Sequence, residues 1–237
     1  MHRDSARGAG VCVVIPTWDE AAGIAATVAH VRAIGPEAQV CVADGGSRDA
    51  TVAHARAAGA QVIDTPRGRG AQMNAGARAT SAPVLLFLHA DCRLPPDAFT
   101  AVHAVLSRGY EAGGFSIRYS SSHPLLRVVG WLSHLESRFT SFGEGALFVR
   151  RAAFEAVGGF PEWPLFEDVE LRARLRRRRR LGRATGTVLA SPRRYEAHGV
   201  WRQQWRNISL YFRYSTGTPP AQLVARYEAQ PPARALR

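Results

Sequence analysis

Lysine is absent from this chain of 237 residues: all 31 basic residues are arginine, set against 19 acidic ones for a formal net charge of +12. Cysteine is scarce, with only Cys12, Cys41 and Cys92 at irregular spacing. An odd count without a Cys-x-x-Cys pair supports neither a disulfide framework nor a zinc site, so a reducing cytosol is the expected compartment. No stretch approaches the ~20 apolar residues of a membrane span, and the opening MHRDSARGAG lacks the apolar core of a signal peptide. Arginine without lysine, beside abundant Ala and Gly, is the mark of GC-rich codon usage, which raises basicity with no functional cause. That bias does not explain where the charge sits. Residues 1–149 hold 13 Arg and 12 acidic residues, net +1, whereas residues 150–237 hold 18 and 7, net +11. What is present in quantity is apolar: hydrophobic residues make up 46% and charged ones 21%, the balance of a folded chain with room for a full core.

The first half alternates strand and helix signals. Val11–Ile15 is a β-branched run halted by Pro16, Glu20 to Ile34 carries Ile24, Val28, Val31 and Ile34 at helical spacing, and Gln39–Ala43 is a second strand. A helix from Ala50 to about Ala58, a strand over Gln61–Ile63 and a helix over Ala71–Ala79 follow. Val84–Leu88 is apolar throughout, as a strand buried on both faces requires. This alternation predicts an α/β fold with a mostly parallel, doubly wound (Rossmann-like) sheet and helices on both faces. Farther on, strands are expected at Gly113–Tyr119 and Ala146–Val149, and helices at Pro124–Phe139, Arg151–Val157, Glu167–Arg180 and Trp201–Tyr214. Residues 1–10 are expected to be disordered, residues 11–215 to form one domain (11–92 and 93–215 as its halves, the second with basic C-terminal helices), and 216–237 to be a tail.

Ligands of open parallel sheets bind beyond the carboxyl ends of the strands. Thr17, Asp19 and Glu20 follow the first strand, Asp44 the second, Arg67 and Arg69 the third, and His89 and Asp91 the fourth. Asp91 at the mouth of a buried strand has two readings: a single carboxylate that shares Mg²⁺ with substrate phosphates, or an N-cap for a helix starting near Pro95. FEDVEL places Glu167, Asp168 and Glu170 at a helix start. They either suit the helix dipole or, by mutual repulsion, raise one pKa to that of a general base.

In order, VVIPTWDE, VADGGSRDAT, RGRGAQMNAG, LLFLHAD and GALFVRRAAFEAVGGFPEWPLFEDVEL resemble the successive blocks of family-2 glycosyltransferases with the GT-A fold, over about residues 11–215. The His-Ala-Asp block is similar to that of a small bacterial branch with mostly unassigned acceptors. The resemblance implies that Pro16, Thr17 and Glu20 line the donor pocket, that Asp44 contacts the base, and that Arg69 and Asn74 close over base and phosphates. It makes Asp91 the last residue of an Asp-x-Asp metal motif for Mg²⁺ or Mn²⁺, and Asp168 the base on the acceptor hydroxyl, supported by Glu167. His89 takes the place of the first motif carboxylate, as a metal ligand or a ribose-side contact. His198 would complete the metal shell, as a C-terminal His does in some members, or is a polar loop residue. Glu144, Trp163 and Arg194 fall on the acceptor side. Three departures stand out: one motif carboxylate is missing, Gly45 stands where many relatives have a second Asp, and Gly143-Glu144-Gly145 replaces the commoner Gly-Asp-Gln.

One base with no enzyme nucleophile implies direct displacement with inversion, from a nucleotide-sugar donor to a hydroxyl acceptor, with a lipid or isoprenoid carrier as one option. The rivals are a sugar-phosphate nucleotidyltransferase and a catalytically inactive basic membrane-surface module. The run RARLRRRRRLGR has no interleaved aromatics and no nucleic-acid-binding signature accompanies it, so no nucleic-acid partner is expected. The last helix places Trp201, Trp205, Ile208 and Phe212 on one stripe flanked by Arg202, Arg206 and Arg213. Packing on the sheet is the default for such a stripe. The alternative is an anionic membrane surface, which would make a cytoplasmic protein peripheral at the inner face.

Overall fold

β-Branched runs and glycine-punctuated turns become strands and crossovers in the order the sequence predicts. The computed structural model describes residues 8–134 and 146–228. The first half runs β1 (Val11–Thr17), α1 (Ile24–Ile34), β2 (Gln39–Asp44), α2 (Thr51–Ala57), β3 (Gln61–Asp64), α3 (Arg69–Arg78) and β4 (Val84–Phe87). Then come β5 (Cys92–Arg93), α4 (Ala98–Ser107), β6 (Ala112–Tyr119), α5 (Pro124–Leu132), β7 (Leu147–Arg150), α6 (Arg151–Ala156) and α7 (Glu167–Arg178). The chain continues through β8 (Gly182–Ala190), α8 (Arg193–His198), α9 (Val200–Ser215) and α10 (Pro220–Glu228).

Eight strands form one sheet in the order β3-β2-β1-β4-β7-β6-β8-β5. β1 pairs in parallel with β2 and β4, β2 with β3, and β6 with β8, while β7 and the two-residue β5 run antiparallel to their neighbours. Strand alternation divides the core. Val11, Val13 and Ile15 face a layer built with α1, α2 and α4, whereas Cys12 and Val14 face α3, α6 and α7. Burial of this kind contributes about 1.5–3 kcal/mol for each large apolar side chain. The three cysteines are buried and form no disulfide, and burial pushes the Cys41 thiol up to about 12, so they serve as core filling.

Two glycines explain the wording of RGRGAQMNAG. A Cβ on Gly76 would lie 2.3 Å from Val14 Cγ1, so glycine there lets α3 lie directly on β1. One on Gly70 would lie 2.5 Å from the Pro161 carbonyl, so glycine there lets the start of α3 touch the segment leading into α7. The structure differs from expectation at several points. β8 and α8 arise where no regular pattern is visible, because β8 mixes Arg183, Gly186 and Thr187 among its apolar residues. Within the stretch assigned to a tail, α10 forms and buries Leu223 against Leu165 and Leu210. Gly8, placed in the disordered N-terminus, accepts the Val11 amide in a turn. The expected helix over Pro124–Phe139 is described only as far as Leu132 for α5, and residues 135–139 lie outside the described residues.

Candidate active site

Proline 16 ends the apolar part of β1 and puts Thr17 at the sheet's carboxyl edge, where it meets the end of β2. Thr17 Oγ1 donates to Asp44 Oδ1 at 2.9 Å, both residues being buried. Asp44 Oδ2 accepts the amides of Gly46 (3.0 Å) and Ser47 (2.8 Å), and Oδ1 also accepts the Ser47 hydroxyl. These bonds shape the Asp-Gly-Gly-Ser turn and leave the Asp44 carboxylate facing inward. The neighbouring Gln72 donates from Nε2 to the carbonyls of Thr17 (2.7 Å) and Ala43 (2.9 Å), tying α3 to both strand ends. Asn74 forms a reciprocal pair with Phe160, donating to its carbonyl and accepting its amide, each at 2.9 Å. Its observed work is to staple α3 to the loop before α7. Asn74→Ala is expected to destabilise the fold by about 2–3 kcal/mol, because two buried backbone groups lose their partners, as chemical denaturation would measure.

A cleft at this edge is lined by Pro16, Arg69, Met73, Phe87, Leu88, His89, Leu147, Phe160, Asp168 and Arg172. It brings together predicted residues from four separate blocks. Arg69 at the start of α3 forms an ion pair with the fully buried Glu167, and its Nη2 lies 4.0 Å from Asp168 Oδ1. The other Glu167 oxygen, Oε2, is buried with no hydrogen-bond partner. Burial and the adjacent Glu167 carboxylate hold the Asp168 pKa above its ordinary value, against the opposing pull of Arg69 and Arg172. The third carboxylate of the block, Glu170, pairs with Arg174 at 2.9 Å one turn along α7 and supplies the plain helix-surface role. Immediately before the pair, Phe166 has φ +63°, a left-handed conformation costly for a bulky residue. Its ring is stacked on Tyr214 of α9 at 4.6 Å, which holds it there.

Asp91 follows β4 and is one-third exposed. The N-cap reading is corrected, since α4 begins at Ala98 with Asp97 at its cap and Asp91 instead precedes β5. Arg193 stands between two loops: its Nη2 is 2.9 Å from Glu20 Oε1 and 3.7 Å from Asp91 Oδ2. The Glu20 carboxylate and, more weakly, Asp91 raise the Arg193 pKa. Among the described residues, no three His, Cys, Asp or Glu side chains converge to hold a metal, so His89, Asp91 and His198 do not form a three-ligand set. One accessible carboxylate still fits a hard cation that takes its remaining ligands from phosphate oxygens and water. Trp18, a residue not singled out from the sequence, is 44% exposed beside the β1 end with the Arg67 guanidinium 3.7 Å over its ring. Trp163 is half-buried against Tyr214 at 6.5 Å, and Arg194 is exposed on α8. Glu144 lies outside the described residues.

A parallel sheet continued by antiparallel strands, with Arg69, Asp168 and His89 in one cleft at its carboxyl edge, has the GT-A architecture of glycosyltransferases. The glycosyl transferase family 2 model matches residues 12–155, more than half of the chain, and the chain belongs to that family. No curated protein matches it. Among solved structures it is similar to the mannosyltransferase PcManGT from Pyrobaculum calidifontis in complex with GDP-Man and Mn²⁺ (TM-score 0.64, 17% identity, 90% of this chain and 66% of that one). It is also similar to S. aureus TarS 1-349 (0.63, 14%, 78% and 61%). A third is the glucosyl-3-phosphoglycerate synthase of Mycobacterium tuberculosis with Mn²⁺, UDP and glucosyl-3-phosphoglycerate (0.54, 20%, 76% and 70%). The chain thus spans a little under two thirds of the first two relatives' length.

Proposed function

We propose that this chain is an inverting glycosyltransferase that moves a sugar from a nucleotide-sugar donor to an acceptor hydroxyl. The observation that carries the reading is Asp168, a carboxylate with a raised pKa at the lip of the cleft that Pro16, Arg69 and His89 also line. Asp168 takes the proton of the acceptor hydroxyl as its oxygen attacks the anomeric carbon, and the bond from that carbon to the diphosphate oxygen breaks with its electron pair. Single displacement inverts the anomeric centre. Glu167 fixes Arg69 by their ion pair, and Arg69 presents positive charge to the departing diphosphate. Asp91 would hold a divalent cation, Mg²⁺ or Mn²⁺, which when bound neutralises charge on the diphosphate. The exposed Trp18 ring with Arg67 over it offers the flat cationic surface on which a nucleobase stacks. With the Asp44 carboxylate spent on its own turn, base contact shifts to Trp18 and the neighbouring backbone.

A separate groove of about 630 Å³ runs between α5, β6 and β8, lined by Ile117, Leu126, Trp131 and Leu189 beside Ser120, Arg118 and Arg127, and we assign the acceptor to it. Apolar walls with guanidinium groups suit an amphiphile that carries a charged headgroup, which supports a lipid-linked acceptor and a working position at the inner membrane face. A thermal-shift panel of UDP, GDP, TDP and CDP sugars, with and without Mn²⁺, tests the donor assignment. One nucleotide class is expected to stabilise the protein by about 2.7 kcal/mol at a hundredfold excess over its Kd. Chelation, or Asp91→Ala, should remove the metal-dependent part of that shift. Stabilisation by none of the four sugars would contradict the reading, and pyrophosphate release from a nucleoside triphosphate would point to a nucleotidyltransferase.

A further inference from the structure

The stripe on α9 does not pack on the sheet. Trp201, Trp205, Ile208 and Phe212 are 70%, 74%, 51% and 66% exposed, while the opposite face buries Gln203, Leu210 and Tyr211. The default expectation of core packing fails because α9 already has an inner face. Tyr211 and Tyr214 meet Phe166 there, and Leu210 joins Leu165 and Leu223. α5 lies alongside and exposes Val128, Trp131 and Leu132. The two surfaces are joined where the His123 ring, which accepts the Leu125 amide at the start of α5, meets Trp201 at 6.3 Å. Large apolar side chains concentrated on two neighbouring helices are uncommon on a free monomer surface.

The charge around this face selects its partner. Residues 123–134 and 197–219 contain no Asp or Glu, while Arg127, Arg202 and Arg213 are exposed at the margins. An isologous contact with a second copy would set arginine-rimmed faces against each other with no carboxylate from those stretches to neutralise them. The Arg176–Arg180 run is not needed here, since Arg178 reaches Glu111 at 3.4 Å and Arg179 the Gly109 carbonyl at 2.8 Å. Tryptophan and phenylalanine on a face rimmed by arginine match the boundary between anionic headgroups and acyl chains. We propose that the face shared by α5 and α9 docks on an anionic bilayer surface. The aromatic side chains enter the interface while Arg127, Arg202 and Arg213 contact headgroup phosphates. Docking in this way sets the α5 groove beside the lipid, and through Phe166 the inner side of α9 packs on the segment bearing Glu167 and Asp168. The inference stands on exposure and charge, independently of the transfer reaction.

Flotation of the full chain with vesicles tests it, comparing phosphatidylcholine alone with phosphatidylcholine containing about a third phosphatidylglycerol. The protein is expected to float with the anionic vesicles and to show a blue-shifted tryptophan emission. Salt should weaken binding as charges are screened. Trp201→Ala with Trp205→Ala should lower partitioning by about tenfold or more. Arg202→Gln with Arg213→Gln should weaken binding to anionic vesicles while leaving the low binding to neutral ones unchanged. These side chains are exposed, so the melting temperature and the hydrolysis of nucleotide sugar in solution should stay as in the wild type, which separates lost docking from lost folding or lost catalysis. Failure to float with anionic vesicles, or flotation of the double tryptophan variant at wild-type levels, would overturn the proposal. So would sedimentation as a dimer that the tryptophan substitutions dissociate, without vesicle binding, since the face would then belong to a second copy.

Discussion

Asp168→Asn is expected to abolish sugar transfer while leaving donor binding nearly intact and making the fold more stable at neutral pH. Loss of a general base costs about 10²–10⁴-fold in turnover. The gain in stability comes from the pKa. Burial beside Glu167 raises Asp168 above its ordinary value of 3.8, so ionising it opposes folding. The stability its neutral form preserves is present in full below the ordinary value and is lost as pH rises through the raised one. Asparagine removes that loss. The variant's melting temperature should therefore exceed the wild type's at neutral pH, and the difference should close as pH falls below the ordinary carboxylate range. A residue placed there only to suit the helix dipole would behave in the opposite way, with its loss weakening α7.

Arg69→Met is expected to destabilise the protein by about 3–5 kcal/mol, the usual cost of leaving a buried charge without its partner. Glu167 is fully buried, its Oε1 meets Arg69, and its Oε2 has no hydrogen-bond partner to absorb the loss. Arg69 is 36% exposed, so water entering the vacated position makes the lower end of that range the expected result. Adding Glu167→Gln to Arg69→Met should restore much of the stability, because the orphaned charge is then gone. It should not restore transfer, because the positive charge facing the diphosphate is still missing. Urea denaturation of the two variants measures the first effect, and donor turnover the second.

Much of this arrangement is legible in the residues. β1 to β4 and the helices between them follow from apolar runs and turns that are local in sequence. The resemblance assigns Arg69 to the donor and Glu167 with Asp168 to the acceptor, but their contact with one another emerges only in the fold, where Gly70 supplies the close approach that allows it. Side-chain bonding to distant backbone leaves no local trace either. Besides the donor contacts that the resemblance implies for Asp44 and Asn74, one shapes its own turn and the other staples the Phe160 loop, with Gln72 doing similar work beside them. The pairing of Arg193 with Glu20 and Asp91 is not legible in the sequence because those partners lie in other loops. β8 escaped notice because it lacks a period-two pattern. The α9 stripe is apolar in the sequence, but the direction it faces depends on Phe166 and Leu223 occupying the other side of the helix.

The central claim is that Asp168 is the base of a nucleotide-sugar transfer. It is tested most directly by the rate of nucleoside diphosphate release from the matching nucleotide sugar, followed against pH for the wild type and for Asp168→Asn. The wild type should lose kcat/KM on the acid side through a pKa above the ordinary carboxylate value, and the variant should be slower by about 10²-fold or more above that pKa, with the gap narrowing as pH falls below it. Release by the variant at the wild-type rate would contradict the assignment.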